Sequence, residues 1–220
     1  MAGLGAAAPL AWRQWQHWRD THVQWMASWQ SPRGRQTRQS LPDGSVLLLD
    51  ALSHAEARYF ATRRDVHLTR GAGFFEVARD ADRPFTVQAG GARVIVLGTR
   101  FGVDITPLAG GGERIEVQVE SGRVRVEPVN VSKGGSNGGS NGAGDGQPAH
   151  ELGAGQGLRL EGTAVTVVHG VPAEAAAWRR GELVFADATL GEALEVLTEY
   201  APIIGDNARF EIASQGAQVQ

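Results

Sequence analysis

The sequence predicts a mainly β fold, in which short antiparallel strands stack into a sandwich or a coil-like domain. A helix is predicted before this domain and a β-α-β module after it. From Leu41 onward, apolar and polar residues alternate at a period of two, which is typical of half-buried strands. Turn signals rich in Gly, Pro and Asp interrupt the alternation at short intervals. Residues 10–29 and 189–201 instead repeat their apolar residues at a helical period.

The N-terminal helix is predicted over residues 10–29, "LAWRQWQHWRDTHVQWMASW", and Pro32 and Gly34 end it. At 100° per residue, four tryptophans share one narrow face and a fifth lies at its edge: Trp15, Trp18, Trp25 and Trp29, with Trp12. Two interpretations remain open. The helix packs onto a domain core, or its indoles lie at a membrane interface with arginines beside them.

The β region follows as a series of short predicted strands separated by turns such as Pro42-Asp43-Gly44 and Gly90-Gly91. The predicted strands are residues 45–50, 55–60, 64–70, 73–78, 84–88, 92–97, 101–106, 113–120, 122–128, 157–160 and 163–168. Many short strands at this spacing favour a sandwich, a barrel or a stacked-strand coil. Residues 132–146, "SKGGSNGGSNGAGDG", have too little apolar surface to offset ordering entropy, so a flexible loop is predicted within a hairpin.

The C-terminal residues predict a β-α-β unit. "GELVF" (181–185) and "ARFEI" (208–212) are predicted strands, and Thr189 and Glu192 have the spacing of a capping box for the helix between them. Leu190, Leu194 and Leu197 lie on one helix face, and Glu192, Glu195 and Glu199 lie on the opposite face. The unit is small for an independent domain, so we expect a continuation or a supporting surface.

Composition excludes several kinds of function. The chain has no cysteine, which excludes disulfides and thiolate chemistry. Its formal net charge of −3 does not indicate a polyanionic or polycationic partner. The N-terminal end is basic and the C-terminal end is acidic. No run of about 18 apolar residues is present to span a bilayer.

No set of residues for catalysis, cofactor binding or metal binding emerges from the sequence. Gly134-Gly135-Ser136-Asn137-Gly138 matches G-x-S-x-G, but a nucleophile elbow requires a strand before the serine and a helix after it. The six histidines are scattered, with no pair at helical spacing that would suggest a metal site. Gly71-Ala72-Gly73 lacks the third glycine and the following helix of a dinucleotide fingerprint. We therefore expect a protein that is not an enzyme and that holds no cofactor.

One ordered string of motifs is more specific than any of these. It begins with "LPDGSVLLLDALSHAEARYF", continues through "GAGFFEV" (71–77) and "RPFTV" (83–87), and closes with "VIVLGTRFGV" (94–103). This string resembles the periplasmic domain of FecR-type regulators, the membrane anti-sigma factors of bacterial iron uptake. Its signature residues suit a β core with tight turns. They are Gly73, Phe74, Phe75, Pro84, Phe85, Gly98, Thr99 and Phe101.

The resemblance extends to the end of the chain. "ELGAGQGLRL" (151–160) is similar to a later stretch of the family, and "AAAWRRGELVFADATLGEALEVLTEY" is similar to its Trp-x-x-Gly-x-Leu-x-Phe segment. That segment leads into a module like the short secretin/TonB N-terminal domain. The resemblance thus implies three parts. Residues 1–40 form a juxtamembrane segment, residues 41–172 the FecR-like β domain, and residues 173–220 a partial C-terminal module.

By the same resemblance, the chain is the periplasmic sensor region of a protein anchored to the inner membrane. Its implied partners are the signalling domain of a TonB-dependent siderophore receptor and, through a cytoplasmic segment outside this chain, an extracytoplasmic-function sigma factor. Contact of the Trp-rich segment with the membrane is a further expectation, and no nucleic-acid partner is expected. The alternative function is a structural or glycan-binding β module of the cell envelope without a regulatory circuit.

Receptor docking is expected on the C-terminal module, by strand addition at an exposed edge and by the helix surface. The candidate partner-binding residues are Leu183, Phe185, Glu192, Glu195 and Glu199. For the three glutamates, a face that is merely solvated is an equally good interpretation.

Overall fold

The computed structural model describes residues 19–108, 110–129, 148–169 and 176–180. These contain thirteen strands and one short 3-10 helix, η1 (Ala177–Arg180). The strands are β1 (Trp25–Gln30), β2 (Thr37–Ser40), β3 (Val46–Leu49), β4 (His54–Tyr59), β5 (Arg64–Glu76), β6 (Phe85–Ala89), β7 (Ala92–Val96), β8 (Arg100–Pro107), β9 (Glu113–Ser121), β10 (Arg123–Pro128), β11 (His150–Gly153), β12 (Gln156–Glu161) and β13 (Ala164–His169). The prediction of a mainly β fold is confirmed.

The long strand β5 organises the fold because it belongs to both layers of one curled sheet. Its first half, residues 64–68, lies between β4 and β6, and β6 is its parallel neighbour. Its second half, residues 71–76, lies between β3 and β8. One layer, sheet A, has the order β1-β4-β5-β6-β7-β10-β11, and the other, sheet B, has the order β2-β3-β5-β8-β9-β12-β13.

The core lies between the two layers, where alternation along each strand directs apolar side chains inward. In the β6–β7 hairpin, for example, Phe85 and Val87 are fully buried, while Thr86 between them is partly exposed. Aromatic rings fill the centre. Phe75 stacks on Phe101 with 5.1 Å between ring centroids and meets Phe85 edge-on at 6.1 Å. Such pairs add to the free energy gained from burial alone.

The strand predictions differ from the structure at β5. Residues 64–70 and 73–78 are predicted as two strands, but they form one strand with an irregular register near Thr69. Gly71 has φ +74°, and a Cβ atom there would lie 2.3 Å from Ser53 Oγ. The glycines of "GAG" therefore mark the point where β5 passes from sheet A to sheet B, rather than a turn. The short strands β2 and β11, each four residues long, are additional to those predicted.

The prediction of a helix over residues 10–29 is wrong where the structure describes this segment. Only residues 19–21 are helical, and Trp25–Gln30 form β1, antiparallel to β4. A spacing of four residues places Trp25 and Trp29 on one face of a strand as well as of a helix, so the tryptophan pattern could not distinguish the two. Both indoles are partly buried and pack against the core. Trp12, Trp15 and Trp18 lie outside the described residues.

Much of the C-terminal prediction falls on residues outside the described ranges. The loop at 132–146 and residues 181–220, which include the predicted β-α-β unit, lie outside the described residues. Of residues 173–220, the structure describes η1 and the residue before it, Ala176. Within the described ranges, no helix has the length and apolar character needed to cross a bilayer.

Candidate functional site

The signature phenylalanines divide between the two faces of the β5–β8 region. Phe75, Phe85 and Phe101 point into the core and are fully buried, and Gly73 leaves room for the Phe75 ring, 3.2 Å from where a Cβ would lie. Phe74 has the opposite parity, so it faces away from the core on the outer surface of sheet B. It is nevertheless only 1% exposed. Something other than the core must cover it.

The cover is the segment around η1, which packs on the outer surface of sheet B. Trp178, 9% exposed, forms a separate apolar cluster with Ala72 and Phe74. Leu48 from β3 and Ala176 pack at its margin. We call this segment, residues 176–179, together with the surface it covers, the Trp178 clamp.

Polar contacts fix the clamp on both sides of the indole. The Gln36 side-chain amide donates to the Trp178 carbonyl oxygen at 2.5 Å. The Arg179 guanidinium lies 3.7 Å from the centroid of the Phe74 ring and donates to Glu120 at 2.8 Å. Residue 102 in β8 is a glycine, and Ala176 lies over it.

Each of these contacts is modest in energy. Burial of a large apolar side chain is worth about 2–3 kcal/mol. A hydrogen bond or a cation–π contact adds about 1 kcal/mol, and a partly exposed ion pair about 0.5 kcal/mol. The clamp is therefore a specific contact but not part of the main core, and it fixes the chain immediately before residues 181–220.

A second unusual feature is a buried ion pair in the core of sheet A. The side chains of Arg64 and Asp43 are 0% and 5% exposed, and Arg64 Nη1 donates to Asp43 Oδ2 at 2.5 Å. Asp43 also accepts from the Ser45 amide and hydroxyl at 3.0 and 2.7 Å and from the Tyr59 hydroxyl at 3.0 Å. Arg64 further donates to the carbonyls of Arg83 and Ala78.

Burial and hydrogen bonds together set the protonation states of Asp43 and Tyr59. Burial by itself raises the pKa of Asp43, but hydrogen bonds from Ser45, Arg64 and Tyr59 outweigh it and hold the pKa below the ordinary value. Burial, followed by the charge of Asp43 and the hydrogen bond to it, strongly raises the pKa of Tyr59. Tyr59 therefore stays a neutral donor and Asp43 a charged acceptor, which is a structural role for the "LPDGS" motif.

The "LGTRFG" motif closes the junction between β7 and β8. Thr99, 4% exposed, donates its hydroxyl to the Arg123 carbonyl oxygen at 2.9 Å, and its own carbonyl accepts from the Val77 amide. A Cβ atom at Gly98 would lie 2.8 Å from the Arg79 Cα. Pro84 presents its carbonyl to the Arg64 amide at 2.9 Å. These signature residues therefore serve close backbone packing.

The described residues contain no group of three side chains able to hold a metal ion. A shallow, open groove lies between Gly44, Glu76, Arg79 and Ser121. Arg100, which also lines the groove, pairs with Glu76 at 3.6 Å and with Glu120 at 3.3 Å.

The predicted docking residues follow the clamp in the sequence. Leu183, Phe185, Glu192, Glu195 and Glu199 all lie outside the described residues.

The sequence analysis did not predict the clamp or the buried ion pair, although the alternation of residues along β5 contains a sign of each. Arg64 occupies the same strand parity as the core residues Val66 and Leu68, and Phe74 occupies the outward parity next to Phe75.

The described part of the chain is thus a two-layer β scaffold that holds a C-terminal segment on its outer face. Residues 27–125 match the family model described as FecR protein, and the match runs from within β1 to within β10. The family resemblance predicted from the motifs is confirmed.

Solved structures share the fold of this chain. Two crystal structures of a putative anti-sigma factor from Parabacteroides distasonis, at 2.50 and 1.65 Å resolution, are similar to the chain with TM-scores of 0.63 and 0.62. Each is 22% identical in sequence, and each similarity covers 80% of this chain and 75% of the other. No curated protein matches the chain.

Proposed function

We propose that the chain is the periplasmic sensor region of a FecR-like anti-sigma regulator. It receives a signal from the signalling domain of a TonB-dependent siderophore receptor in the outer membrane. It relays that signal to an extracytoplasmic-function sigma factor, which is bound by a cytoplasmic segment of the full-length, membrane-anchored protein. The observation that carries the proposal is the FecR family match over residues 27–125. Non-catalytic action is part of the proposal.

Two further observations support this function. The similar crystal structures are those of a protein described as a putative anti-sigma factor. The conspicuous residues of the described chain have structural roles: Phe75, Phe85 and Phe101 lie in the core, and Asp43 pairs with Arg64 in a buried network. These roles are structural, as the proposal of non-catalytic action expects.

The docking surface is proposed on the C-terminal module, with Leu183 and Phe185 on the pairing strand and the glutamates 192, 195 and 199 on the adjacent helix face. Strand addition would supply backbone hydrogen bonds, and the side chains would supply specificity.

The test is a calorimetric titration of the full chain with the purified signalling domain of a TonB-dependent receptor whose gene neighbours that of the chain. A saturable one-to-one isotherm is expected. Heat of dilution alone, with a chain shown to be folded by circular dichroism, would reject receptor sensing. Binding of peptidoglycan fragments in its place would support the cell-envelope alternative.

A further inference from the structure

We propose that β13 is a dimerisation edge, along which a second copy of the chain adds its own β13 in antiparallel orientation. Sheet B then continues from one copy into the other across a two-fold axis. Such a dimer is independent of receptor binding, and the residues that form it all lie within the described part of the chain.

Among the described strands, β13 has a free edge. It pairs with β12 on one side, and no other described strand pairs with it. The next described residue along the chain, Ala176, lies over Gly102 of β8. Two strands, β9 and β12, separate β8 from β13, a distance of about 14 Å at the usual strand spacing. The described chain after β13 therefore lies on the outer surface of sheet B, away from the free edge.

The sequence of β13 lacks the features by which edge strands usually avoid pairing. This strand, "AVTVVH", contains no lysine, arginine, aspartate, glutamate or proline, and four of its six residues are β-branched. The edge strands β2 and β11 have only four residues each, and each includes a charged side chain, Arg38 and Glu151. Pairing of β13 with its own copy therefore sets no two carboxylates, lysines or arginines opposite each other.

The inward side of β13 is not fully covered. Val165 and Val167 are opposite Leu160 and Leu158 of β12, which are both 2% exposed, so the two valines point toward the core. Val165 packs against the core, but Val167 is 38% exposed. The core of sheet B is therefore open to solvent at the edge that β13 forms.

The remaining edge strand, β1, has a different arrangement. Its inward residues are Trp25 and Trp29, and both indoles pack against the core. Its exposed apolar residue, Met26, points outward, where it lies opposite Arg58 and is 61% exposed. A single exposed apolar residue beside a charged one needs no partner. Of the described edges, β13 is therefore the one with an exposed aliphatic side chain on its inward side.

A second copy fits this edge because it supplies the same strand with the same free backbone groups. The two cores lie on the same side of the joined sheet only if the two-fold axis is perpendicular to the sheet and passes through one residue of β13. An axis at Val167 places this residue opposite its own counterpart, so the two exposed valines cover each other. Thr166 then lies opposite Val168. Six paired residues bury little surface, so we expect a weak dimer with a dissociation constant of about 10–100 µM.

The first test is sedimentation velocity of the full chain at concentrations up to about 500 µM. The sedimentation coefficient of the wild type should rise from that of one chain toward that of two. Val167→Lys places two like charges opposite each other at the axis, so it should weaken dimerisation at least about tenfold. Met26→Lys is the matched control on β1, and it should dimerise like the wild type.

A second variant tests the pairing even if Val167→Lys does not fold. The chain has no cysteine, so Val167→Cys introduces a single thiol. Directly opposite residues of antiparallel strands have Cα atoms about 4.5–5.5 Å apart, which is within the range of natural disulfides. Mild oxidation should therefore produce a disulfide-linked dimer of Val167→Cys, whereas Met26→Cys should stay a monomer.

Three results would contradict the proposal. A wild type that stays monomeric, as it would if another segment or a different partner covered β13, would overturn the dimer. Loss of dimerisation in Met26→Lys but not in Val167→Lys would assign the interface to β1 instead. A folded Val167→Cys protein that forms no disulfide-linked dimer would overturn the pairing at Val167. The calorimetric titration with the signalling domain is a separate measurement, so failure of receptor binding is distinguishable from failure of the dimer.

Discussion

Among single-residue substitutions, we expect those of Asp43 and Arg64 to lower the free energy of unfolding most. Removing one partner of a buried pair leaves the other charge without compensation, which costs about 3–5 kcal/mol. We therefore expect Asp43→Ala to lower the free energy of unfolding in urea by about that amount. Asp82→Ala, on an exposed turn, should change it by less than about 0.5 kcal/mol. Equal effects of the two substitutions would show that the pair is not buried.

The same carboxylate predicts how stability depends on pH. The pKa of Asp43 in the folded protein lies below its ordinary value of 3.8, so the unfolded state binds the proton more tightly. Its contribution to stability is present above about pH 4 and is lost as the pH falls through the folded pKa. Urea unfolding between pH 5 and pH 2.5 should show a steeper acid loss in the wild type than in Asp43→Asn. Parallel curves would contradict this assignment.

Gly98 offers a residue-scale test of the signature motif. A Cβ at this position would meet the Arg79 backbone at 2.8 Å, so Gly98→Ala must displace main chain. We expect a loss of about 2 kcal/mol or more in the free energy of unfolding. Gly110→Ala is the control, since a Cβ there would meet nothing within 4 Å. Thermal unfolding of both variants distinguishes a packing constraint from a general preference for glycine.

At the scale of elements, β1 is a case in which the sequence pattern does not distinguish a helix from a strand. Trp25 and Trp29 satisfy the periodicities of both a helix and a strand, and only pairing with β4, thirty residues away in sequence, selects the strand. The strands from β3 to β10, apart from the continuity of β5, were predictable because period-two alternation and turn residues agree there. The clamp was not predictable, since the partner of Phe74 lies a hundred residues further along the chain.

The strand assignment of β1 has its own test. Trp25 contacts the Tyr59 ring at 5.3 Å and the Trp29 ring at 5.9 Å, so Trp25→Ala should lower stability by about 2 kcal/mol. Met26, which points outward and is 61% exposed, should tolerate alanine. Similar losses for the two variants in chemical unfolding would contradict the alternation along β1.

At the scale of the whole molecule, the two-layer β scaffold and the segment proposed to bind the partner, residues 181–220, have different roles. Sheets A and B share β5, so the core is continuous through both layers. The clamp attaches the segment before residues 181–220 to the outer face of this scaffold. Substitutions in the core should therefore act on folding, and substitutions at positions 183 and 185 should act on recognition.

The most direct test is the affinity of the receptor's signalling domain for two sets of variants, measured at a temperature where all are folded. Trp25→Ala and Gly98→Ala should lower the unfolding free energy yet bind within about twofold of the wild type. Phe185→Ala should keep wild-type stability and bind at least about tenfold more weakly. The opposite pattern, with binding lost in the folded scaffold variants and retained in Phe185→Ala, would contradict the account.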